Sequence, residues 1–207
     1  MPRPPRRLFK GAFYHVFNRG VEKRVIFLDA HDHKTFLCLL DETVVAHQLR
    51  LFAYCLMPNH FHLFPQTPQG NLDSAMHALQ GDYAQYFNRR HKRVGSLFQD
   101  RYKNPLVEEE TYALALCRYI HHNARKAGCR RDSWEDYPWS SYPSYIGKLP
   151  SPKWLERSWL LAQFHPDEET ATKLFRQYHQ MDPPTAETRT ITTMRSLLGK
   201  PKLPAPA

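Results

Sequence analysis

One stretch near the middle of the chain decides the fold: residues 51–65, which read LFAYCLMPNHFHLFP. Residues 51–57 form a continuous apolar run with the length of a buried strand. Pro58 and Asn59 favour a tight turn, because proline presets φ and asparagine tolerates turn conformations. Residues 60–65 then return as the partner of the first strand. The stretch therefore predicts an antiparallel hairpin with a buried first strand.

Strand and helix patterns alternate on both sides of this hairpin. Residues 13–19 are strand-like, and Asp29 is placed to cap a helix whose apolar residues recur at helical spacing. A second long helix follows Gly70, then come a strand over 97–107 and a third helix over 108–126. The order βαββαβα predicts an α+β fold, a ferredoxin-like or RRM-like sandwich with a mostly antiparallel sheet and helices on one face.

Proline usage divides the chain of 207 residues into two parts. Of 17 prolines, eight lie at or after Pro150. We therefore expect residues 1–148 to form the principal domain and residues 149–207 a small C-terminal appendage. A short helix is predicted over residues 167–181, and the chain from Pro183 onward is typical of a loose, proline-rich tail.

The net charge points to a polyanionic partner. The chain carries a formal charge of +9 and has a pI near 9.5, which favours nucleic acid or an anionic membrane surface. No apolar run approaches the ~20 residues that a membrane-spanning helix requires. The first ten residues are basic with no apolar segment behind them, so no secretory signal is expected. These features predict a cytoplasmic protein that does not bind membranes.

The four cysteines form no CxxC pair. A zinc ribbon or a disulfide framework is therefore not expected. Buried thiols without a chemical role are the favoured interpretation.

Basic residues cluster beside aromatic residues, the combination that binds nucleic acid when cations follow the phosphates and bases stack on rings. The alternative is a solubilising charged face beside core aromatics. Arg19 in the leading strand and the basic leader, with Arg3, Arg6 and Arg7, are candidates for base recognition beside a hairpin, because a flexible cationic arm can enter a groove that a rigid sheet cannot. The residues predicted to bind DNA are Arg19, Arg89, Arg90, Arg101 and Lys103.

The second strand of the hairpin carries a possible metal site. His60 and His62 are two residues apart, so both project from one face while Phe61 points to the other. Neutral imidazole suits zinc, manganese, iron or nickel, and a site completed by oxygen ligands and phosphate oxygens would suit Mg²⁺ or Mn²⁺. A pair of structural histidines is the alternative, since the spacing alone is weakly specific.

The third helix offers partners for these histidines. Tyr112, Leu116, Tyr119 and Asn123 lie on one helical stripe, with Tyr119 and Asn123 one turn apart. A tyrosine packed in the core is the ordinary interpretation. An amide oxygen beside a tyrosine hydroxyl is also what a third metal ligand next to a nucleophile would look like.

Five segments of the chain form a recognisable ordered set: residues 57–63 (MPNHFHL), 86–90 (YFNRR), 98–103 (FQDRYK), 117–123 (CRYIHHN) and 137–142 (YPWSSY). Together they resemble the REP-associated tyrosine transposases, the single-tyrosine, IS200-like branch of the HUH endonucleases. The resemblance implies that His60 and His62 bind the metal and that Tyr119 is the nucleophile, with Asn123 at the third-ligand position.

The resemblance also implies a reaction and its partners. The expected activity is metal-dependent cleavage of single-stranded DNA near hairpins through a covalent 5′-phosphotyrosine, followed by strand rejoining. No nucleotide cofactor is expected, and the sequence has no Walker-type glycine loop. Two alternatives remain: a DNA-hairpin-binding protein without catalysis, and a nickase of the relaxase or replication-initiator type. Monomer and homodimer are both compatible with the sequence.

Overall fold

The computed structural model describes residues 7–107, 110–126 and 134–181. It contains five short strands, six α-helices and three turns of 3-10 helix at Val21–Lys23, Asn123–Lys126 and Trp134–Asp136. The strands are β1 (Ala12–Tyr14), β2 (Val16–Arg19), β3 (Arg50–Met57), β4 (His60–Thr67) and β5 (Leu106–Val107). The helices are α1 (Ala30–Ala46), α2 (Leu72–Arg90), α3 (Glu110–His122), α4 (Tyr142–Tyr145), α5 (Ser158–Ala162) and α6 (Glu168–Gln180).

Strand β4 lies at the centre of an antiparallel sheet. It pairs with β3 on one side and with both β1 and β2 on the other, and β5 pairs with the outer edge of β1. Across the sheet the order is therefore β5, then β1 with β2, then β4, then β3. Because β1 and β2 are two halves of one interrupted strand, the sheet has four strands in effect. Counted along the chain, their order is fourth, first, third, second, which is the ferredoxin-like arrangement. The predicted α+β class and the predicted hairpin are both confirmed.

Helices cover both faces of the sheet. Phe61 of β4 packs on Phe36 of α1, with ring centroids 5.1 Å apart, and Phe36 in turn packs on Tyr83 of α2. The neighbouring His62 points the other way and faces Tyr119 of α3. The expectation that the helices share one face therefore holds for α1 and α2 but not for α3, because alternate residues of a strand project to opposite sides.

Two of the predicted strands are interrupted. The segment expected over 13–19 breaks at His15, whose N–H bonds to the carbonyl of Pro105. Between residues 97 and 107 the chain follows β2 only through isolated bridges, Gly20 with Phe98 and Phe17 with Lys103, before β5 begins. Proline has no N–H to contribute to a ladder, so Pro105 limits regular pairing there.

Asp29 and Asp167 begin helices as N-caps. The Asp29 carboxylate accepts hydrogen bonds from the backbone N–H groups of His31 and Asp32 at the start of α1, as predicted. Asp167 accepts from the N–H of Thr170 at the start of α6, the helix expected over 167–181.

The chain beyond residue 148 packs on the same core. Leu155 forms a parallel bridge with Leu51 of β3, and the buried ring of Phe175 stacks on Tyr145 at 4.6 Å. The boundary after residue 148 stays a prediction. The proposed tail from Pro183, and Arg3 and Arg6 of the basic leader, lie outside the described residues. No helix of the described ranges has the length and apolar content to cross a membrane.

Candidate active site

The two histidines of β4 lie side by side on the face that α3 covers. The rings of His60 and His62 meet edge to face with centroids 5.0 Å apart. His62 is fully buried, and His60 lies at the end of the strand and is partly exposed. The pair is therefore placed where the rim of the sheet meets solvent.

Asn59 fixes the tautomer of His60. The Asn59 side-chain NH₂ donates to the carbonyl of Lys23 at 3.1 Å, so its Oδ1 is the atom that faces His60. His60 Nδ1 lies 2.7 Å from that oxygen and must donate to it. The lone pair of the ring is then on Nε2, which is the arrangement that metal-binding histidines adopt when the other nitrogen is anchored.

A histidine that the sequence analysis did not identify contacts His62 in the same way. His15 occupies the break between β1 and β2, and its Nε2 lies 2.9 Å from His62 Nδ1. Burial lowers the pKa of His15 to about 3, so its ring is neutral. If His62 donates to His15, the lone pair of His62 is on Nε2, as metal binding requires. The signal that could have revealed His15 is a lone histidine inside an otherwise apolar strand pattern.

His15 also has a buried atom that nothing among the described residues satisfies. Its Nδ1 is buried and has no hydrogen-bond partner within the described ranges. The ring stacks on His62 at 5.1 Å and meets the edge of Tyr119 at 5.8 Å. An unsatisfied buried polar atom has a free-energy cost, which is typical of functional sites.

The two predicted partners of these histidines lie at the end of α3, which carries Tyr119, and at the start of the 3-10 turn that follows it, which begins with Asn123. The ring of Tyr119 lies edge-on to His62 with centroids 5.6 Å apart. One turn later, Asn123 donates from Nδ2 to the carbonyl of Tyr119 at 2.9 Å. The amide is thereby oriented with Oδ1 as its acceptor atom, the only side-chain atom of Asn that binds a metal. The structure thus brings Tyr119 into contact with His62, beside His60, and Asn123 follows one turn after Tyr119.

These donors fit a divalent ion. Two imidazole nitrogens with anchored partners and one amide oxygen form an incomplete set, which leaves positions for phosphate oxygens and water. A second buried group, Cys117, His121 and His179, could also hold a metal. It has a thiol and no oxygen donor, so its chemistry differs from that of the β4 pair.

Three of the five predicted DNA-binding residues line one cleft beside the histidines. Arg19 of β2 pairs with His60 of β4. Phe17 of β2 pairs with His62 of β4 on one side and forms an isolated bridge with Lys103 on the other. Directly paired residues share a face, so Arg19 and Lys103 flank the histidines. Arg19 Nε donates to Gln99 at 2.7 Å. The cleft is lined by Phe17, Asn18, Arg19, Gln99, Asp100, Arg101 and Lys103.

Arg89 and Arg90 lie elsewhere, at the end of α2 on the opposite layer. Arg90 forms ion pairs with Asp29 at 2.6 Å and with the buried Asp32 at 2.5 Å. Burial raises the pKa of Asp32, but hydrogen bonds, among them those from His91 and Arg90, outweigh it and hold that pKa below its usual value. Arg90 therefore ties α1 to α2, whereas Arg89 is exposed.

Comparisons with known proteins identify a family and a fold. The family described as "Transposase IS200 like" matches residues 9–123. A solved structure of a REP-associated tyrosine transposase bound to a REP hairpin is 16% identical, covers 76% of this chain and 96% of its own, and superimposes with a TM-score of 0.60. A candidate transposase from Deinococcus radiodurans R1 is 20% identical over 62% of this chain and 100% of its own, with a TM-score of 0.41. No curated protein matches the sequence.

Proposed function

The chain belongs to the IS200-like transposase family, and we propose, from this membership and from the site geometry, that it is a metal-dependent endonuclease and strand transferase that acts on single-stranded DNA. The observation that carries the proposal is the meeting of Tyr119 with His62, beside His60 and Asn123. The tyrosine lies beside two histidines whose Nδ1 atoms are held by neighbouring side chains, although the helix and the strand that carry them are far apart in sequence. A cleft lined by basic residues lies next to this group.

His60 Nε2, His62 Nε2 and Asn123 Oδ1 would hold the ion. A bound Mg²⁺ or Mn²⁺ supplies charge neutralisation at the nonbridging phosphate oxygens. Tyr119 attacks phosphorus in line with the leaving 3′ oxygen, the bond from phosphorus to that oxygen breaks, and a 5′-phosphotyrosine and a free 3′-hydroxyl result. Attack of a 3′-hydroxyl on the phosphotyrosine reverses the step, so strands are rejoined without a nucleotide cofactor.

His15 and Asn59 act as positioning residues in this proposal. Each contacts the Nδ1 of one histidine ligand, so that both Nε2 atoms would carry the lone pair that an ion needs. Partners of this kind orient the ring and raise its basicity, and their loss typically reduces metal affinity by about 10–100-fold.

The cleft residues Arg19, Arg101 and Lys103 are proposed to follow the DNA backbone into the site. Arg89, exposed on the opposite layer, would contact a more distant part of the substrate. Arg90 has a structural contribution through Asp29 and Asp32 in addition to any contact with DNA. The proposed partner is single-stranded DNA with an adjoining hairpin, and the related solved structure also contains a bound hairpin. A DNA partner of this kind implies a cytoplasmic location.

We also propose that residues 1–148 form the catalytic domain and that residues 149–207 form the appendage. The family match ends at residue 123, and α6 of the appendage packs on α3, which carries Tyr119. The appendage would therefore brace the helix of the nucleophile.

The test is a covalent adduct assay. The purified protein is incubated with single-stranded DNA containing a hairpin, with Mn²⁺, Mg²⁺ or a chelator, and adducts are resolved on a denaturing gel. We expect a metal-dependent adduct whose nucleotide maps by mass spectrometry to Tyr119. Tight hairpin binding with no adduct under any condition would instead establish the binding-only alternative, and an adduct on another tyrosine would contradict the assignment.

A further inference from the structure

A second cluster of metal-binding side chains lies behind the active site, where α6 packs on α3. Cys117 and His121 are one turn apart on α3, and His179 projects from α6. All three are fully buried, and their ligand atoms lie within 4.8 Å of one another. The proposed reaction uses none of them. Of the other cysteines, Cys55 is buried and Cys38 is exposed, contrary to the expectation that it is buried.

Both imidazoles are anchored from behind. His179 Nδ1 lies 2.9 Å from the carbonyl of Phe175 and must donate to it, so His179 Nε2 carries a lone pair. That lone pair faces His121 Nδ1 at 3.0 Å. The other nitrogen of His121, Nε2, lies 2.7 Å from the hydroxyl of Ser141. Backing by a carbonyl and a hydroxyl is what orients histidine ligands in metal sites.

Without a metal, the cluster is a satisfied chain of neutral groups. The Ser141 hydroxyl donates to His121 Nε2, and His121 Nδ1–H donates to His179 Nε2. Burial holds the pKa values of His121 and His179 well below the usual value and raises that of the Cys117 thiol. All three groups are therefore neutral, and Cys117 Sγ lies 3.7 Å from His121 Nδ1.

Ser141 permits a second proton arrangement. Its Oγ accepts from the backbone N–H of Tyr54 at 2.9 Å and also lies 3.3 Å from the carbonyl of Tyr54. If the hydroxyl turns to that carbonyl, its oxygen can accept a hydrogen bond from a protonated His121 Nε2. His121 then has its lone pair on Nδ1, which points at the lone pair of His179 and at the sulfur. Two facing lone pairs repel each other unless a cation lies between them.

We propose that Cys117, His121 and His179 form a second metal site, for a thiophilic d¹⁰ ion such as Zn²⁺ or Cu⁺. On binding, the Cys117 thiol loses its proton to solvent, and the sulfur forms a bond to the ion. His121 changes tautomer, with its proton on Nε2 instead of Nδ1, and its Nε2–H donates a hydrogen bond to Ser141 Oγ. The thiol proton is therefore the one proton released for each ion bound. His121 Nδ1 and His179 Nε2 complete the three protein ligands.

The donor set separates this site from the catalytic one. One thiolate and two imidazoles select Zn²⁺ or Cu⁺, whereas Mg²⁺ and Mn²⁺ prefer the oxygen-rich surroundings of a phosphate. The buried guanidinium of Arg118 stacks on Tyr178, next to His179. Cu⁺ with one thiolate is electrically neutral, whereas Zn²⁺ with one thiolate keeps one positive charge. The positive charge of Arg118 therefore disfavours Zn²⁺ more than Cu⁺.

An ion at this site would clamp α6 to α3. The two helices are already joined by hydrogen bonds from Arg118 to the carbonyl of Tyr178 and from His122 to the carbonyl of His179. Tyr119 lies on the same stretch of α3, and Asn123 begins the 3-10 turn that follows this helix. Ion binding would therefore stiffen the helix that carries the nucleophile, without contact with the substrate.

Metal binding by the full-length, reduced protein tests this proposal. After treatment with a chelator, the protein is titrated with Co²⁺ as a spectroscopic probe, and then with Zn²⁺ or Cu⁺ as competitors. We expect one equivalent of Co²⁺ to produce a thiolate charge-transfer band in the near ultraviolet, with release of one proton. At free Zn²⁺ or Cu⁺ about 100-fold above Kd, the Tm should rise by roughly 5–10 °C.

Matched variants assign the site. The double variant His60→Ala, His62→Ala removes the imidazole ligands of the catalytic site and should keep both the band and the rise in Tm, so failure of the catalytic proposal and failure of this one are distinguishable. In that background, Cys117→Ser and His179→Gln should each lose the band and the rise in Tm, whereas Cys38→Ser should keep both. If the folded double variant shows no band, the cluster is only a hydrogen-bonded chain and the proposal is overturned. A band that survives in a folded His179→Gln variant would overturn the ligand set.

Discussion

The ring of Tyr119 on α3 lies edge-on to the ring of His62 on β4, with centroids 5.6 Å apart and an interplanar angle of 79°. Removal of the Tyr119 hydroxyl leaves this packing intact but removes the nucleophilic oxygen. We expect Tyr119→Phe to abolish the covalent DNA adduct while hairpin binding, measured by gel shift, is unchanged. Tyr112→Phe, on the same helix, is the matched control and should cleave normally. An undiminished adduct in Tyr119→Phe would contradict the assignment.

The histidine pair should be required for every metal-dependent step. His60→Ala or His62→Ala is expected to eliminate cleavage at all Mn²⁺ concentrations, because each removes an imidazole ligand. Asn123→Ala should shift the Mn²⁺ dependence to higher concentration with a smaller loss, since an amide oxygen contributes less than an imidazole to a first-row ion. Adduct yield against Mn²⁺ concentration measures both effects. The exposed His77 of α2 supplies the control, His77→Ala, and cleavage that persists in a chelator would refute the metal requirement.

His15 should control metal affinity without binding the metal itself. His15→Phe removes the acceptor for His62 Nδ1 and is expected to weaken Mn²⁺ binding by about 10–100-fold. His15→Gln retains an acceptor and should restore part of the affinity. Calorimetric titration with Mn²⁺ in the absence of DNA gives the affinity directly, and thermal unfolding monitors stability. Equal Mn²⁺ affinity in wild type and His15→Phe would show that the contact at 2.9 Å has only a packing role.

Asp32 joins α1 to α2 through Arg90 and His91, and its side chain is fully buried. Asp32→Asn removes the buried carboxylate charge that faces the Arg90 guanidinium and should cost about 3 kcal/mol of unfolding free energy at pH 7. Because the folded-state pKa of Asp32 is depressed, its contribution is present above pH ~4 and is lost as pH falls through the folded pKa. Urea unfolding at pH 7 and pH 3 should therefore show a difference between wild type and variant that shrinks in acid. Asp41→Asn, at an exposed position of α1, should be nearly neutral at both pH values.

Local signals explain why much of this arrangement could be predicted from the sequence. The cap at Asp29 and the turn at Pro58 depend on neighbouring residues only, so each is visible in a short window. Neighbouring side chains of a strand project to opposite faces of the sheet. The helix that contacts His62 must therefore lie on the opposite face from the helix that contacts Phe61, and helices occupy both faces.

Contacts between distant residues could not be read from such windows. His15 meets His62 only because the first strand pairs with β4, and the register of that pairing is a tertiary property. His179 lies 58 residues from His121, and no spacing rule connects them. The salt bridges of Arg90 are equally hidden, since a basic cluster looks the same whether it faces DNA or a buried carboxylate.

The cleft residues should contribute to DNA binding through charge alone. If Arg101 and Lys103 follow phosphates, replacement of either by Ala should reduce the slope of log K against log salt by about 0.7 for single strands. The weakening should be the same for cognate and scrambled DNA, because phosphates carry no sequence information. Lys34→Ala, at an exposed position of α1, is the control of equal charge and should leave the slope unchanged. Arg90→Ala should instead lower the free energy of unfolding, since its partners are Asp29 and Asp32. An unchanged slope in both Arg101→Ala and Lys103→Ala would exclude the cleft as the DNA path.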